Sequence, residues 1–417
     1  MSVSPNRAPG ASDPGLSFRP FVVLMACLMA MNALAIDIML AALPAMAKSL
    51  HIPTENQRQW IIAVYVIGFG AAQLFWGPLA DRFGRKPVLV ASTALFGVLS
   101  LVAGLSATFP LLLVARFLQG IAAAASRVLV VSIVRDCYEG RQMARVMSLT
   151  FMCFLAVPIL APSIGQIILL GTGSWRWIFL LLGAFGGMVA IVAGMKLKET
   201  LHSEFRRPVS VAGITSAAGR VFGNRTAAGY TLCSAFSFGS MMGFINSVGQ
   251  IFTDIFHAPQ LFPLIFACIA GTMGLSSFVN SRIVGRFGTR RVSQTAMFGF
   301  TAMSLIHLAI SLSGRETIWI LGIIQAGTMF FFGMMGSNFG SMAMETVGDI
   351  AGTASSIQGF FQTLTGALIG LAIGQSFNGT TVPLAIGFSV IGFAVIICVT
   401  ITERGKLFRP HHMPVAS

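Results

Sequence analysis

A single carboxyl group lies deep inside a long apolar run, that of Asp37 in Ala35-Ile36-Asp37-Ile38-Met39-Leu40-Ala41-Ala42-Leu43-Pro44. A carboxyl deprived of water can take up and release a proton, unless it is a structural acid paired with an arginine or capped by hydroxyls. Two arginines pose the opposite problem. Arg116 lies in Arg116-Phe117-Leu118-Gln119-Gly120, six residues into its apolar block. It needs a partner or a wet cavity, or else it snorkels to the headgroups. Arg127 follows eleven residues later. On a helix the two project from nearly the same face, ~16 Å apart along the axis. Arg127 either faces an inward-facing cavity or is a snorkelling or salt-bridged residue.

Other residues point to shape rather than proton chemistry. Pro158 and Pro162, with Gly165, interrupt one block. Each proline removes a helix hydrogen bond and lets the helix bend. In Gly77-Pro78-Leu79-Ala80-Asp81-Arg82-Phe83-Gly84-Arg85-Lys86-Pro87, Gly77 and Gly84 allow close approach or a tight turn. Asp81 suits a helix N-terminus or an arginine of a neighbouring helix. Arg82, Arg85 and Lys86 hold the segment at a membrane surface.

The elements that must position these residues follow from composition. The 417-residue chain is 55% hydrophobic and only 10% charged, whereas soluble domains carry roughly 25% charged residues. Apolar blocks fall near 20–45, 58–80, 88–108, 110–134, 146–170, 175–196, 229–255, 261–283, 292–312, 317–342, 351–377 and 381–402. Blocks of ~20 apolar residues match a bilayer core, and in lipid only closed backbone hydrogen bonding survives, so these blocks should be helices. The first block exceeds a signal-peptide core and carries Asp37, so it reads as a retained helix despite Ala45-Met46-Ala47. The predicted map is a cytoplasmic tail over 1–19, disordered by its Pro, Ser and Gly content, then a six-helix bundle over 20–196. A basic linker over 197–228 follows, then a second bundle over 229–402 and a cytoplasmic tail over 403–417.

The net charge of +14 forms no single patch. Basic residues cluster between blocks, which argues for anionic lipid and against nucleic acid. With the N-terminus inside, 21 Lys and Arg face the cytoplasm and 4 face outside, which places both termini in the cytoplasm. The six cysteines form no C-x-x-C pair, so neither disulfides nor zinc are expected, and no motif calls for a cofactor. Gly285-Arg286-Phe287-Gly288-Thr289-Arg290 repeats Asp81-Arg82-Phe83-Gly84-Arg85-Lys86 at an offset of 204 residues. That repeat divides the chain into two six-helix halves. Gly285 replaces the acid, so an Asp-based gate is expected in one half only.

The segment Gly77–Pro87 resembles the cytoplasmic signature of the major facilitator superfamily. The resemblance implies an all-α membrane protein with twelve helices in two pseudo-symmetric bundles. Arg116-x-x-Gln119-Gly120 resembles the proton-coupling element of that superfamily. Pro158, Pro162 and Gly165 resemble its antiporter element, with Ala161 and Gln166 as departures. The run from Asp37 to Pro44 resembles the first helix of the bicyclomycin- and chloramphenicol-resistance (Bcr/CflA) drug exporters. Arg135-Asp136, Trp175-Arg176-Trp177-Ile178-Phe179 and Ala351-Gly352-Thr353-Ala354-Ser355-Ser356 agree with that subfamily. Met29 stands where some of its members carry a second acid, which argues against dications.

The resemblance implies a monomeric inner-membrane exporter of small apolar drugs or metabolites, driven by protons carried on Asp37 with help from Arg116. By analogy the first, fourth, seventh and tenth blocks line the path. Asn32, Asp37, Arg127, Asn246, Gln250 and Asn338 are then candidate substrate contacts, although each amide serves equally as a helix–helix hydrogen bond. His307 belongs to a peripheral block. The alternatives are a transporter of one metabolite and a membrane enzyme. No nucleotide loop, H-E-x-x-H or G-x-S-x-G favours the enzyme.

Reporter fusions at Ser417 and after His257 are expected to report opposite sides of the membrane. The same side for both would overturn the twelve-helix map.

Overall fold

The computed structural model describes residues 12–202, 204, 206 and 211–408. The expected disorder of 1–11, Ser203, Phe205 and 207–210 of the linker, and 409–417 of the second tail lie outside the described residues, together with the charges of Arg7, Arg207 and Arg409. The chain divides into two compact units, Met1–Thr215 and Ser216–Ser417.

The first unit contains α1 (Phe18–Asp37), α2 (Leu43–Ser49), α3 (Trp60–Phe83), α4 (Arg85–Gly104), α5 (Phe109–Cys137), α6 (Gly140–Thr172) and α7 (Arg176–Lys196). The linker helix α8 (Val211–Gly223) straddles the division. The second unit holds α9 (Arg225–Gln250), α10 (Phe262–Phe287), α11 (Thr289–Ser313), α12 (Ile318–Met344), α13 (Ala351–Gln375) and α14 (Val382–Thr402). Among the described residues there is no strand.

Among the described residues, eleven spans, with α1 and α2 counted as one, are long and apolar enough to cross a membrane. The twelfth, α9, has 26 residues but is more polar. Its Thr231, Ser234, Ser237, Ser240, Asn246, Ser247 and Gln250 are all buried. Thr231, Ser237 and Ser240 give their hydroxyls to carbonyls of α9 itself, and none of the seven is shown to lipid, which is how a polar helix remains compatible with a bilayer. Large apolar side chains such as Val98, Leu170, Ile191, Ile323 and Ile401 are more than half exposed, as lipid-facing residues must be.

The two units repeat one packing plan. In the first, α3 packs on α5, α4 on α5 and α7, and α1 on α6. In the second, the matching pairs are α10 on α12, α11 on α12 and α14, and α9 on α13. Small residues set the closest crossings. A Cβ on Gly239 or Gly243 would press on Ile369 or Ile373, and one on Gly366 or Gly370 would meet Phe238 or Met242. Four glycines therefore let α9 and α13 approach along two turns.

Two expectations are corrected. Asp81, Arg82 and Phe83 form the last turn of α3, so the expected loop shrinks to Gly84 alone. Gly84 turns the chain into α4 at φ +103°, and Gly288 does the same between α10 and α11 at φ +81°. Only glycine adopts such angles without strain. The first tail is not disordered from residue 12 onward. Ser12 donates its N–H to the Asp136 carbonyl at 3.0 Å and its hydroxyl to the Thr200 carbonyl at 2.7 Å. Lys198 N–H reaches the Pro14 carbonyl at 2.9 Å. At the start of the second tail, the Arg291 Nε donates to the Phe408 carbonyl at 3.0 Å.

Gly370→Val should lower the apparent unfolding temperature of the purified protein, because overpacking a close crossing costs about 1–3 kcal/mol. Gly219→Ala, where a Cβ meets nothing within 4 Å, should leave it unchanged or raise it. Equal effects at both sites would contradict the close-packing account.

Candidate functional site

The residues singled out by type converge in the first unit around α5. Arg116 is completely buried, so it does not snorkel. Its Nε donates to the Ile61 carbonyl at 3.0 Å, its Nη1 to Gln119 Oε1 at 2.7 Å, and its Nη2 to the Ala35 carbonyl at 3.2 Å. The guanidinium also lies 4.3 Å from the Tyr65 ring centroid and 5.9 Å from that of Phe179. No carboxylate pairs with it among the described residues. Carbonyl dipoles, one amide and two ring faces replace its water, which makes a buried cation tolerable.

The rest of Arg116-x-x-Gln119-Gly120 now has a physical account. Gln119 turns its Oε1 to Arg116 and gives Nε2 to Ser100 Oγ at 2.6 Å, and Ser100 bonds the Phe96 carbonyl at 2.7 Å. A Cβ on Gly120 would collide with the Tyr65 carbonyl, and one on Gly68 with the Phe117 carbonyl. These reciprocal contacts bring α3 and α5 close enough for Arg116 to reach Ile61. Tyr65 in turn donates its hydroxyl to Asn32 Oδ1 at 2.9 Å. Asn32, a candidate substrate contact, is thus engaged with a residue that sequence reasoning missed.

Asp37 is the last residue of α1 and is 5% exposed. Beyond it the chain makes one tight turn, Leu40–Ala42, before α2 begins with Pro44 in its first turn. Pro44 has no N–H for the Leu40 carbonyl, and its ring crowds that atom, so α1 cannot run straight into α2. Among the described residues no hydrogen bond or ion pair meets the Asp37 carboxyl. Arg116 holds the backbone two residues away, at Ala35, without engaging the acid. Gly165 completes the site, since a Cβ there would collide with the Ile38 carbonyl. The glycine of the proline-rich element therefore lies against the break that follows Asp37. Pro158 and Pro162 both remain inside the 33-residue α6.

Arg127 differs from Arg116 although both project from one side of α5. It is exposed and has no ion pair or hydrogen bond among the described residues. In the second unit, Asn338 donates to Asn280 Oδ1 and to the Met334 carbonyl, both at 2.8 Å, which ties α12 to α10. Asn246 is buried, and its Oδ1 meets no donor. Gln250 is buried on the last turn of α9.

The signature around Gly77 is a charge cluster at one end of the first unit. Asp81 pairs with Arg85 at 2.7 Å, and Arg85 reaches Asp136 at 3.3 Å. Arg82 lies over Phe83, 5.1 Å from its centroid. Glu199, overlooked by sequence reasoning, accepts the N–H groups of Arg85 and Lys86 at 2.9 and 3.3 Å. It thereby caps α4, where a carboxylate also meets the positive end of the helix. It accepts those of Thr200 and Leu201 as well, both at 3.0 Å.

The second unit lacks the Asp but not the clamp. Arg290 pairs with Glu345 at 2.8 Å and with Glu403 at 3.0 Å, and Tyr230 donates to Glu403 at 2.6 Å. Glu403 lies 204 residues after Glu199, so the offset seen in the motif would have located both acids.

A further cluster lies at the opposite end of the second unit. His307 is fully buried and contacts Glu316 at 2.9 Å, and Glu316 also accepts from Ser311 at 2.9 Å and from Thr381. Burial alone would push the Glu316 carboxyl up, but hydrogen bonds from His307, Thr381 and Ser311 prevail and hold it below its usual range.

Residues 25–371 match the family model described as Major Facilitator Superfamily. The chain is 32% identical to an uncharacterized MFS-type transporter, YdgK, of Bacillus subtilis, over 92% of this chain and 96% of that one. It is 28% identical to a bicyclomycin resistance protein homolog of Haemophilus influenzae, covering 91% and 94%. It is 29% identical to the multidrug resistance protein MdtL of Klebsiella pneumoniae, covering 88% and 92%. Among solved structures, a D-xylose–proton symporter has the same fold, with a TM-score of 0.73 at 12% identity over 94% and 99% of the two chains.

Asp81→Asn and Glu199→Gln should each slow transport of every substrate by a similar factor. The expected size is about tenfold, the equivalent of a lost charge-assisted hydrogen bond of roughly 1.5 kcal/mol. Initial rates for several unrelated substrates measure this, and a loss confined to one substrate would count against a gating role.

Proposed function

Because the chain belongs to the Major Facilitator Superfamily, we propose that it is a proton-coupled exporter of small, fairly apolar compounds, drugs included, with Asp37 as the proton carrier. The observation that carries this reading is the isolation of Asp37, which is buried and has no ion-pair or hydrogen-bond partner among the described residues. A carboxylate in that position loses solvation and gains nothing in return, so binding a proton relieves a real cost. A structural acid would instead show a permanent partner.

The neighbours suit a carrier. Arg116 acts as a positioning residue, since it fixes the Ala35 carbonyl and hence the end of α1. Pro44 and Gly165 supply a break beside the acid, where backbone can shift without tearing a continuous helix. In the cycle, Asp37 takes a proton from outside, substrate leaves, and the proton departs inward as new substrate binds. Relatives named for multidrug and bicyclomycin resistance support the drug class. The asymmetry of Lys and Arg supports an inner-membrane orientation with both termini in the cytoplasm.

Asp37→Asn retains size and polarity but cannot carry the charge. It should abolish uphill uptake of bicyclomycin into inverted vesicles under an imposed pH gradient, by about tenfold or more. Binding of the drug to the purified variant should remain within about twofold. Near wild-type accumulation by Asp37→Asn would place the proton elsewhere and end this reading.

A further inference from the structure

We propose that Arg127 is an anion subsite, and that the compounds this chain handles include amphiphilic organic monoanions, with an apolar body and one carboxylate or sulfonate. The inference rests on the reading of the chain as a transporter and deepens it by naming a substrate class.

One side of α5 meets two different surroundings. Eleven residues separate Arg116 from Arg127, so their directions differ by about 20° on an α-helix. At Arg116 that side is sealed, because Tyr65, Phe179 and three backbone or amide oxygens enclose the guanidinium. From Arg127 onward the same side is open. Arg127, Val131 and Arg135, one turn apart in succession, are all exposed.

Depth then decides what bathes the open side. Arg127 lies ten residues before the end of α5 at Cys137, about 15 Å along the axis. That is too deep for a guanidinium to reach headgroups at little cost, and an unpaired charge held against lipid is strongly disfavoured. The guanidinium is nevertheless exposed and unpaired, so water and not lipid must solvate it. Accessibility and depth diverge in this way only for the wall of a solvent-filled crevice.

Charge supplies the ligand. Among the described residues neither Arg127 nor Arg135 has an ion pair or a hydrogen bond. Glu139 lies beyond the end of α5 and makes no ion pair with either arginine among the described residues, and two other acids are already engaged. Asp136 binds Arg85 and Thr200, and Asp81 binds Arg85. Two unneutralised guanidiniums, about 12 Å apart along α5, make a positive track leading inward from the helix end. Such a track attracts anions and repels cations in a weakly screened crevice. The guanidinium fork fits a carboxylate or sulfonate, and Val128 and Val131 beside it suit an apolar body.

The test uses the purified full-length protein and two probes with the same body: naphthalene-1-sulfonate, a permanent anion, and naphthalene-1-sulfonamide, which is neutral. Apparent affinities come from ligand-induced thermal stabilisation. The wild type should bind the sulfonate more tightly. Arg127→Gln should weaken sulfonate binding about tenfold and change sulfonamide binding by less than about twofold, while Arg127→Lys restores part of the preference.

Val131→Cys, in a background with Cys153→Ser and Cys268→Ser, should react with an anionic thiol reagent in membranes, and the sulfonate should slow that reaction. This variant retains Arg127, so it decides the matter even if the Arg127 variants do not fold. Equal binding of the two probes, an unchanged ratio in Arg127→Gln, or no protection at Val131→Cys would each overturn the subsite. The Asp37→Asn variant should retain the sulfonate preference. If it also transports uphill, the proton-carrier reading fails and the anion subsite stands. If it does not, while Arg127→Gln leaves the ratio flat, the reverse holds.

Discussion

The first unit depends on how one buried cation is satisfied. Arg116 has no counter-ion, so its guanidinium must find oxygen and π-electron density from the helices around it. It takes a carbonyl from α1, another from α3, an amide oxygen from its own helix and a ring face from Tyr65. Each bond fixes a backbone position, because removing any partner leaves a buried donor unsatisfied. Gly68 and Gly120 are required for the same reason, since the carbonyl of Ile61 comes within reach only when α3 and α5 nearly touch. The placement of Asp37 follows from the grip on Ala35.

A second constraint is shared by both units. The helix that follows each glycine turn presents unpaired N–H groups or a basic side chain at the unit's end, and an acid from after the unit's last helix closes on it. In the first unit Glu199 caps the backbone, and in the second Glu403 binds the Arg290 side chain. The same position in the repeat thus does the same work through different chemistry. The acid–arginine cluster expected in one half only has a counterpart in the other, built from Glu345 and Glu403 instead of an Asp on the preceding helix.

Much of the architecture was legible in the sequence because a bilayer imposes one length and one polarity on every span. The twelve blocks and the depth of Asp37 within the first follow from that rule, and the repeat is legible from its 204-residue offset. What escaped reading was side-chain partnership across the fold. Arg116 appears in the sequence as a charge in need of a partner, yet nothing local reveals Ile61 and Ala35, which contribute only backbone. Asn338 reads as either a substrate contact or a helix–helix hydrogen bond until Asn280, 58 positions earlier, is placed beside it. His307 reads as peripheral, although it is buried against Glu316 and forms part of the unit's polar interior. Glu199 and Glu403 were recoverable, because the repeat offset that links the glycine turns also links them.

An acid without a counter-ion has an electrical consequence. Had Asp37 been locked to an arginine, its charge would be cancelled where it sits. Unpaired, it makes the proton-free state negative in the low-dielectric interior, and neutralising it alters the charge that the membrane field acts upon. A charge that crosses the whole field gains about 2.3 kcal/mol per 100 mV. If Asp37 carries the proton, a cell's resting potential enters the energetics of this protein alongside the concentration of protons outside.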